Sequence, residues 1–158
     1  MNDSYIATYL AETVRIAETV DRAALASALE LLKGLKASGG RLFILGVGGS
    51  AGNAPHAVND FRKIAGIEAY APTDNVSELT AWTNDVGWEV VFDRWLRTSR
   101  IGAKDMLLVF SVGGGSATTS RNLVLGMECA KSAGASILSV VSRDGGKARE
   151  LGDVTVLI

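Results

Sequence analysis

Five short apolar runs alternate with longer helical patterns, and this alternation restricts the chain to one fold class. The runs are Arg41–Gly46, Ile67–Ala71, Met106–Ser111, Ser136–Val141 and Val154–Ile158. Continuous apolar runs of this length are typical of strands that are covered on both faces. Helical spacing of apolar residues lies between them, over roughly 50–65, 75–84, 88–99, 117–133 and 145–151. The alternation predicts a doubly wound α/β domain, with helices on both faces of a parallel sheet.

Two further helices are predicted before the first strand. Tyr5, Tyr9 and Val14 belong to an apolar stripe at three- and four-residue steps, and Asp21 is a candidate N-cap for the second helix. Gly39 and Gly40 are a C-cap pair that ends it. We therefore predict one domain over 1–158, with the N-terminal helices in 1–40 and the sheet in 41–158.

The last apolar run reaches Ile158, so the predicted sheet ends on a strand that no helix follows. We expect a partner subunit, or a further helix beyond Ile158, to cover this strand. The amphipathic N-terminal helices also leave apolar surface that favours a partner, and a monomer is not expected.

Composition excludes several classes of protein. The 158 residues include 16 basic and 17 acidic side chains, so no cationic excess points to a nucleic acid or an anionic membrane. A single cysteine, Cys129, allows no internal disulfide and indicates a reducing, cytoplasmic environment. No segment resembles a signal peptide or approaches the ~18 apolar residues that span a bilayer.

Two glycine-rich loops follow predicted strands and are the candidate binding elements. They are Gly46–Asn53 and Ser111–Thr119. Ligands of parallel α/β sheets bind beyond the carboxyl ends of the strands, where free N–H groups at helix N-termini attract anions such as phosphate. Tight turns without a ligand are the alternative for either loop alone, but two serine-bearing loops after different strands favour anion binding.

Neither loop carries a known nucleotide signature. No Gly-Lys-Ser/Thr sequence follows, which excludes a P-loop. The first loop has Ala51 where the dinucleotide fingerprint has its third glycine.

His56 and Asp60 form a candidate acid–base or metal-binding pair. Their spacing of four residues places both side chains on one face of a helix. Asp60 could act as a general base, or the two could ligate a divalent metal, but an ordinary helix ion pair explains the spacing equally well. Pro55 could begin the regular part of this helix, which would shift the face of His56.

Three other polar groups have structural explanations on spacing alone. Asn84 and Asp85, with Thr83 before them and Gly87 after, are typical of a helix end. The turn Arg143–Lys147 follows the fourth strand and leads into a short helix. Arg62 and Lys63 are best explained as a solvated helix face. The aromatic residues Trp82, Trp88, Phe92 and Trp95 favour a core or a subunit contact, because no basic residues interleave with them.

Together these motifs resemble the sugar isomerase (SIS) domain family, in order and in spacing. The resemblance rests on Gly46–His56, Asn84–Asp85 with Gly87, Ser111–Ser116 and Arg143–Lys147. Within the family, the chain looks most like the phosphoheptose isomerases. The resemblance implies a five-stranded, flavodoxin-like, three-layer fold and a homotetramer with active sites at subunit interfaces. It also implies aldose–ketose isomerisation of sedoheptulose 7-phosphate through an enediol, often with zinc.

The resemblance further implies roles for individual residues. His56 would be a metal ligand, and Asp60 a metal ligand and proton-transfer base. In the mechanism that we expect, Asp85 is a reserve base. The substrate-binding residues would be Val47, Gly48, Gly49, Ser50, Asn84, Asp85, Ser111, Val112, Gly113 and Ser116.

This chain departs from the family pattern at several of these positions. Val47 stands in place of asparagine, Asp60 in place of glutamate, and Val112 and Gly113 in place of threonine and serine. A final helix with glutamine and histidine has no counterpart, so the zinc site is expected to be incomplete. Two alternatives follow: a non-catalytic module that binds a sugar phosphate or a protein partner as a regulator, and an isomerase of a different sugar phosphate.

Overall fold

The computed structural model describes residues 3–158, and its helices and strands follow the predicted alternation. The α-helices are α1 (Asp3–Thr19), α2 (Arg22–Ser38), α3 (Gly49–Asp60), α4 (Val76–Asp85), α5 (Val91–Thr98), α6 (Arg121–Ser132) and α7 (Gly146–Leu151). The strands are β1 (Leu42–Leu45), β2 (Ala69–Tyr70), β3 (Met106–Ser111), β4 (Ser136–Val141) and β5 (Val154–Leu157). A π-helical turn, Phe61–Ala65, continues α3, and short 3₁₀ turns occupy Pro72–Asp74 and Trp88–Val90. Residues 1 and 2 of the predicted N-terminal helical region lie outside the described residues.

The five strands form one parallel sheet in the order β2-β1-β3-β4-β5. Leu42 of β1 pairs with both Ala69 and Met106, and Met106 pairs in turn with Ser136. The predicted five-stranded α/β fold is therefore confirmed. Because the chain order reverses between β1 and β3, the loops that follow these two strands diverge to opposite faces and leave a crevice between them.

Alternate side chains along the strands supply the two halves of the core. Phe43 and Leu107 point to the face that α5, α6 and α7 cover, where they pack with Phe92 and Met127. The other face of the sheet lies under α2 and α3. It is built from Leu42, Ile44, Leu108 and Leu138 with Ala28, Leu35, Ala54 and Val58. Both faces of the central strands are thus buried, as their continuous apolar runs require.

The predicted caps of α2 are present. The Asp21 carboxylate accepts hydrogen bonds from the N–H groups of Ala23 (2.8 Å) and Ala24 (3.2 Å). Gly39 ends the helix in the left-handed conformation, with φ of 66°. These caps satisfy backbone groups that a helix terminus leaves without partners.

Two local expectations were wrong. Helix α3 runs without interruption from Gly49 to Asp60, so Pro55 lies inside it and does not begin its regular part. Helix α6 begins at Arg121, four residues later than the pattern at 117 predicts. The delay arises because Gly114 and Gly115 have positive φ and Ser116 closes a tight turn with Thr119.

Helix α1 packs against little of the chain. Its apolar stripe is exposed, with relative accessibilities of 71% for Tyr5, 60% for Tyr9, 57% for Leu10 and 56% for Val14. Among the described residues, no helix has the length and apolar character needed to cross a membrane.

Candidate functional site

A cavity of about 770 Å³ opens at the carboxyl edge of the sheet. The segments that follow β1, β3 and β4 form its walls, which is the edge where α/β sheets bind ligands. Its lining residues are Val47, Gly49, Ser50, Ser111, Val112, Gly113, Gly115, Ser116, Thr119, Ser120, Arg143 and Asp144. The two glycine-rich loops predicted from the sequence therefore lie at one site.

The loop after β1 passes directly into α3. A Cβ atom on Gly46 would collide with the backbone of Ser50 and Ala51, so only glycine allows the helix to start this close to the strand. Gly48 precedes the helix with φ of 63°, and its carbonyl oxygen accepts from the N–H of Ala51 at 3.0 Å. This geometry directs the N-terminus of α3, with Gly49 and Ser50, toward the cavity.

The loop after β3 is held by its own serines. The Ser111 hydroxyl accepts from the N–H of Gly114 at 3.0 Å. The Ser116 hydroxyl accepts from the N–H groups of Thr118 (3.2 Å) and Thr119 (3.0 Å). Each hydroxyl keeps its own proton, which it can donate to a ligand in the cavity.

The turn after β4 supports this loop from behind. The carbonyl oxygens of Gly114 and Gly115 accept from the N–H groups of Ala148 (2.9 Å) and Lys147 (3.0 Å), in the first turn of α7. A Cβ on Gly114 would overlap the carbonyl oxygen of Gly145, so the two segments meet backbone to backbone. The Asp-Gly-Gly-Lys turn therefore fixes the position of the β3 loop.

Several backbone donors of the β3 loop have no partner in the described part of the chain. Among the described residues, the structure gives no acceptor for the N–H groups of Gly113, Gly115 and Ala117. Gly115 is buried. A buried N–H group without an acceptor is costly, so such groups usually meet water or a ligand. Converging N–H donors are suited to an anion such as a phosphate.

The predicted pair His56 and Asp60 lies on one face of α3, outside the cavity lining. The His56 Nε2 atom is 3.5 Å from an Asp60 carboxylate oxygen, and the side chains are 79% and 48% exposed. Asn59 donates to the other carboxylate oxygen at 3.1 Å. The imidazole is accessible to a substrate or a partner chain, and it is not enclosed in the core.

Asn84 and Asp85 lie at the exposed C-terminal end of α4. The Asn84 amide donates to the Asp85 carboxylate at 2.8 Å. Neither residue lines the cavity within the described chain. Of the nearby aromatic residues, Phe92 and Trp95 are buried in the core as expected, whereas Trp88 is 44% exposed.

The residues present do not fit a complete zinc site. Structural and catalytic zinc ions take at least three protein ligands, and His56 with Asp60 supplies two. Within residues 3–158, no group of three or more histidine, cysteine, aspartate or glutamate side chains is arranged to hold a metal.

Sequence reasoning missed part of the site. Ser120, Arg143 and Asp144 line the cavity, but none was a candidate binding residue, whereas Gly115 and Thr119 belong to the loop Ser111–Thr119 that was predicted as a binding element. Their position in the chain after a strand could have identified these residues, because the carboxyl ends of neighbouring parallel strands share one edge of the sheet. Arg62 is exposed, in agreement with its assignment to the helix surface, although its guanidinium also donates to the carbonyl oxygen of Ala69 at 3.1 Å.

The SIS domain family model matches residues 4–142. A phosphoheptose isomerase from Chlorobium phaeobacteroides is 33% identical over 157 residues, which cover 92% of this chain and 67% of that protein. A phosphoheptose isomerase from Helicobacter pylori is 34% identical over 125 residues, which cover 75% of this chain and 62% of that protein. The chain thus spans about two thirds or less of the length of these curated relatives.

Solved structures extend the similarity to the fold. The phosphoheptose isomerase GmhA from Neisseria gonorrhoeae superposes with a TM-score of 0.84 at 29% identity. The superposition covers 98% of this chain and 83% of the other. The likeness therefore includes the N-terminal helices as well as the sheet.

Proposed function

We propose that this chain, which belongs to the SIS domain family, is a sugar-phosphate isomerase. The phosphoheptose isomerases among its relatives support this function. The observation that carries the proposal is the convergence of two glycine-rich loops on one cavity, with unpartnered N–H donors in the loop after β3. Such a cavity is suited to the phosphate end of a sugar.

The proposed substrate is a phosphorylated ketose, sedoheptulose 7-phosphate, which would be converted to a heptose 7-phosphate. The phosphate would lie in the loop Ser111–Ser116, beside the N-terminus of α3. Serine hydroxyls and backbone N–H groups would donate to its oxygens, and the helix dipole would favour the negative charge. The sugar chain would then extend from the cavity along Val47, Gly48 and Gly49.

The proposed proton transfer uses Asp60. Its carboxylate would take a proton from C1 of the ketose to leave an enediolate, and would return it to C2. A second proton would pass from O1 to O2, so that C1 becomes the aldehyde carbon of the aldose. The His56 imidazole would donate a hydrogen bond to the oxygen that gains negative charge during this step. Asn84 and Asp85 are proposed substrate contacts, with Asp85 as the reserve base.

Zinc has no complete ligand set among the described residues. The proposal that zinc assists His56 and Asp60 requires further ligands from outside this set, and activity assays with and without added zinc test it.

We also propose that the protein is a homo-oligomer, a tetramer by resemblance. The exposed apolar stripe of α1 supports self-association. A second supporting feature is an entirely apolar groove of about 420 Å³, lined by residues of α1, α2 and strands β3 to β5. The cytoplasmic location inferred from the single cysteine stays a prediction.

The isomerase proposal is tested by incubating the protein with sedoheptulose 7-phosphate and measuring aldose phosphate. Asp60→Asn removes the base and is expected to lower kcat by about 100-fold or more. Glu30→Gln is the matched control, because Glu30 is also a helical carboxylate paired with a cation, Lys33 at 2.7 Å, far from the cavity lining. Its kcat is expected to equal that of the parent.

Each contrary outcome has a distinct meaning. Unchanged turnover in Asp60→Asn would remove Asp60 from the role of base. Binding of the sugar phosphate by the parent protein without any turnover would favour the regulatory module. A parent protein that neither binds nor converts the substrate would show the proposed function to be wrong.

A further inference from the structure

Among residues 3–158, Arg143 is the one cationic residue in the lining of the cavity. The other lining residues offer hydroxyl groups, backbone N–H groups and one carboxylate, that of Asp144. A phosphate monoester carries a charge close to −2 at neutral pH, and charge-assisted hydrogen bonds are about twice as strong as neutral ones. The position of this single positive charge therefore affects the affinity of the cavity for an anion.

The Arg143 side chain has no partner among the residues that the structure describes. Within residues 3–158 it forms neither an ion pair nor a side-chain hydrogen bond. The adjacent carboxylate, Asp144, accepts instead from the N–H of Gly146 at 3.1 Å, where it stabilises the start of α7. The five donors of the guanidinium thus remain available at the wall of the cavity.

The backbone of Arg143 adopts a conformation that arginine disfavours. Its φ is 55°, in the left-handed region, which costs a non-glycine residue about 1 kcal/mol. The turn is fixed on both sides, because Ser142 donates to the carbonyl oxygen of Val112 at 3.1 Å and Gly145 donates to that of Ser142 at 3.1 Å. This geometry holds residue 143 beside the loop after β3.

We propose that Arg143 is the cation that anchors the substrate's phosphate group. The inference rests on the proposed function and adds a binding residue from a third strand end. The guanidinium would donate to phosphate oxygens from the side of the cavity opposite the N-terminus of α3. Backbone N–H groups of Gly113 and Gly115 would complete the set of donors.

The test measures dissociation constants by isothermal titration, with sedoheptulose 7-phosphate and with inorganic phosphate as separate probes. Arg143→Gln removes the charge but keeps a side chain of similar length. It is expected to weaken the binding of both probes about tenfold or more. Arg143→Lys keeps a point charge but loses the planar fork, and an intermediate affinity is expected.

Arg100→Gln is the matched control. Arg100 is also an exposed arginine with positive φ, 53°, but it lies between α5 and β3 at the opposite edge of the sheet. Its substitution removes the same charge from the same backbone conformation, and phosphate affinity is expected to stay unchanged.

Arg143→Gly separates binding from folding. Glycine relieves the backbone strain at this position, so the variant is expected to unfold at an equal or higher temperature than the parent while binding phosphate about tenfold more weakly. Its weaker binding would then not be a consequence of a damaged fold.

Parent-like affinity of Arg143→Gln for both probes would overturn the role of Arg143 and leave the isomerase proposal standing. Weaker binding of the sugar phosphate with unchanged binding of inorganic phosphate would also overturn it, since Arg143 would then contact the sugar. A parent protein that binds neither probe would overturn this inference and the proposed function together.

Discussion

The two edges of the sheet differ in whether their polar groups have hydrogen-bond partners. At the amino edge, the buried carboxylate of Asp105 accepts from Arg41 through its backbone N (3.0 Å), Nε (3.2 Å) and Nη2 (2.7 Å). It accepts a fourth hydrogen bond from the N–H of Gly102 at 2.9 Å. At the carboxyl edge, the part of the chain that the structure describes offers no acceptor to the N–H groups of Gly113, Gly115 and Ala117 and no anionic partner to Arg143.

This difference separates stability from binding. A polar network whose donors and acceptors are all satisfied rigidifies a fold, whereas donors left open at a cavity wall are available to a ligand. We therefore expect substitutions at the amino edge to change stability alone. Substitutions at the carboxyl edge should change ligand affinity, and stability only where the backbone is crowded.

The largest expected effect comes from Asp105→Asn. The amide removes the charge and places an NH₂ group against donors, so Arg41 loses its partner in a largely buried site. We expect the free energy of unfolding to fall by about 3 kcal/mol, measured by urea denaturation. Because the substitution lies at the edge opposite the cavity, phosphate affinity of the folded protein should stay unchanged.

Glu30→Gln is the control for loss of an ion pair at the surface. The side chains of Lys33 and Glu30 are 61% and 70% exposed, so the free energy of unfolding should change by less than about 1 kcal/mol. If Glu30→Gln and Asp105→Asn lowered the free energy of unfolding by similar amounts, this would contradict the stabilising role of the amino-edge network.

A smaller effect on stability is expected from Gly114→Ala at the carboxyl edge. Gly114 has φ of 67°, and a Cβ there would overlap the carbonyl oxygen of Gly145. The backbone must shift, and we expect a loss of about 2 kcal/mol in the free energy of unfolding. Since Gly114 lies in the loop that lines the cavity, phosphate affinity should fall as well.

Gly113→Ala provides the comparison within the same loop. Its φ is not positive, and a Cβ on Gly113 would meet no atom within 4 Å. Its unfolding free energy should therefore stay within about 0.5 kcal/mol of the parent. Equal destabilisation by the two alanines would show that the loop does not depend on its contact with the β4 turn.

The sequence predicted the elements better than it predicted the site. Continuous apolar runs identified the central strands, because both faces of the sheet are covered. Asp21 and Gly39 were recognisable as caps, since capping depends on local chemistry. The late start of α6 could not be recognised from the sequence, because the turn that Ser116 forms with Thr119 overrides the helical pattern around it.

The missing part of the site depended on tertiary contacts. Arg143 lines the cavity only because the turn after β4 packs against the loop after β3, and spacing along the chain does not report that contact. The spacing of His56 and Asp60 did predict their proximity, at 3.5 Å, because both lie on one helix. Their roles in proton transfer stay a prediction, since neither residue lines the cavity within residues 3–158.

The smallest expected effect is a dependence of the amino-edge network on pH. Burial by itself raises the pKa of Asp105, but the hydrogen bonds from the side chain and backbone of Arg41 and from Gly102 outweigh it, so the net pKa lies below the ordinary value. A carboxylate whose pKa is lower in the folded state stabilises the protein above its unfolded pKa, about 3.9. That stabilisation is lost as the pH falls through the pKa of the carboxyl in the folded state.

Urea denaturation of the parent and of Asp105→Asn between pH 7 and pH 3 therefore has a defined outcome. The difference in unfolding free energy should be fully present at pH 7 and should begin to narrow below about pH 4, where the Asp105 carboxyl of the unfolded parent takes up a proton before that of the folded parent. The difference between the parent and Gly114→Ala has a steric origin and should stay constant over the same range. A constant difference for Asp105→Asn would show that packing, and not charge, holds the amino edge, and the contrast between the two edges would then disappear.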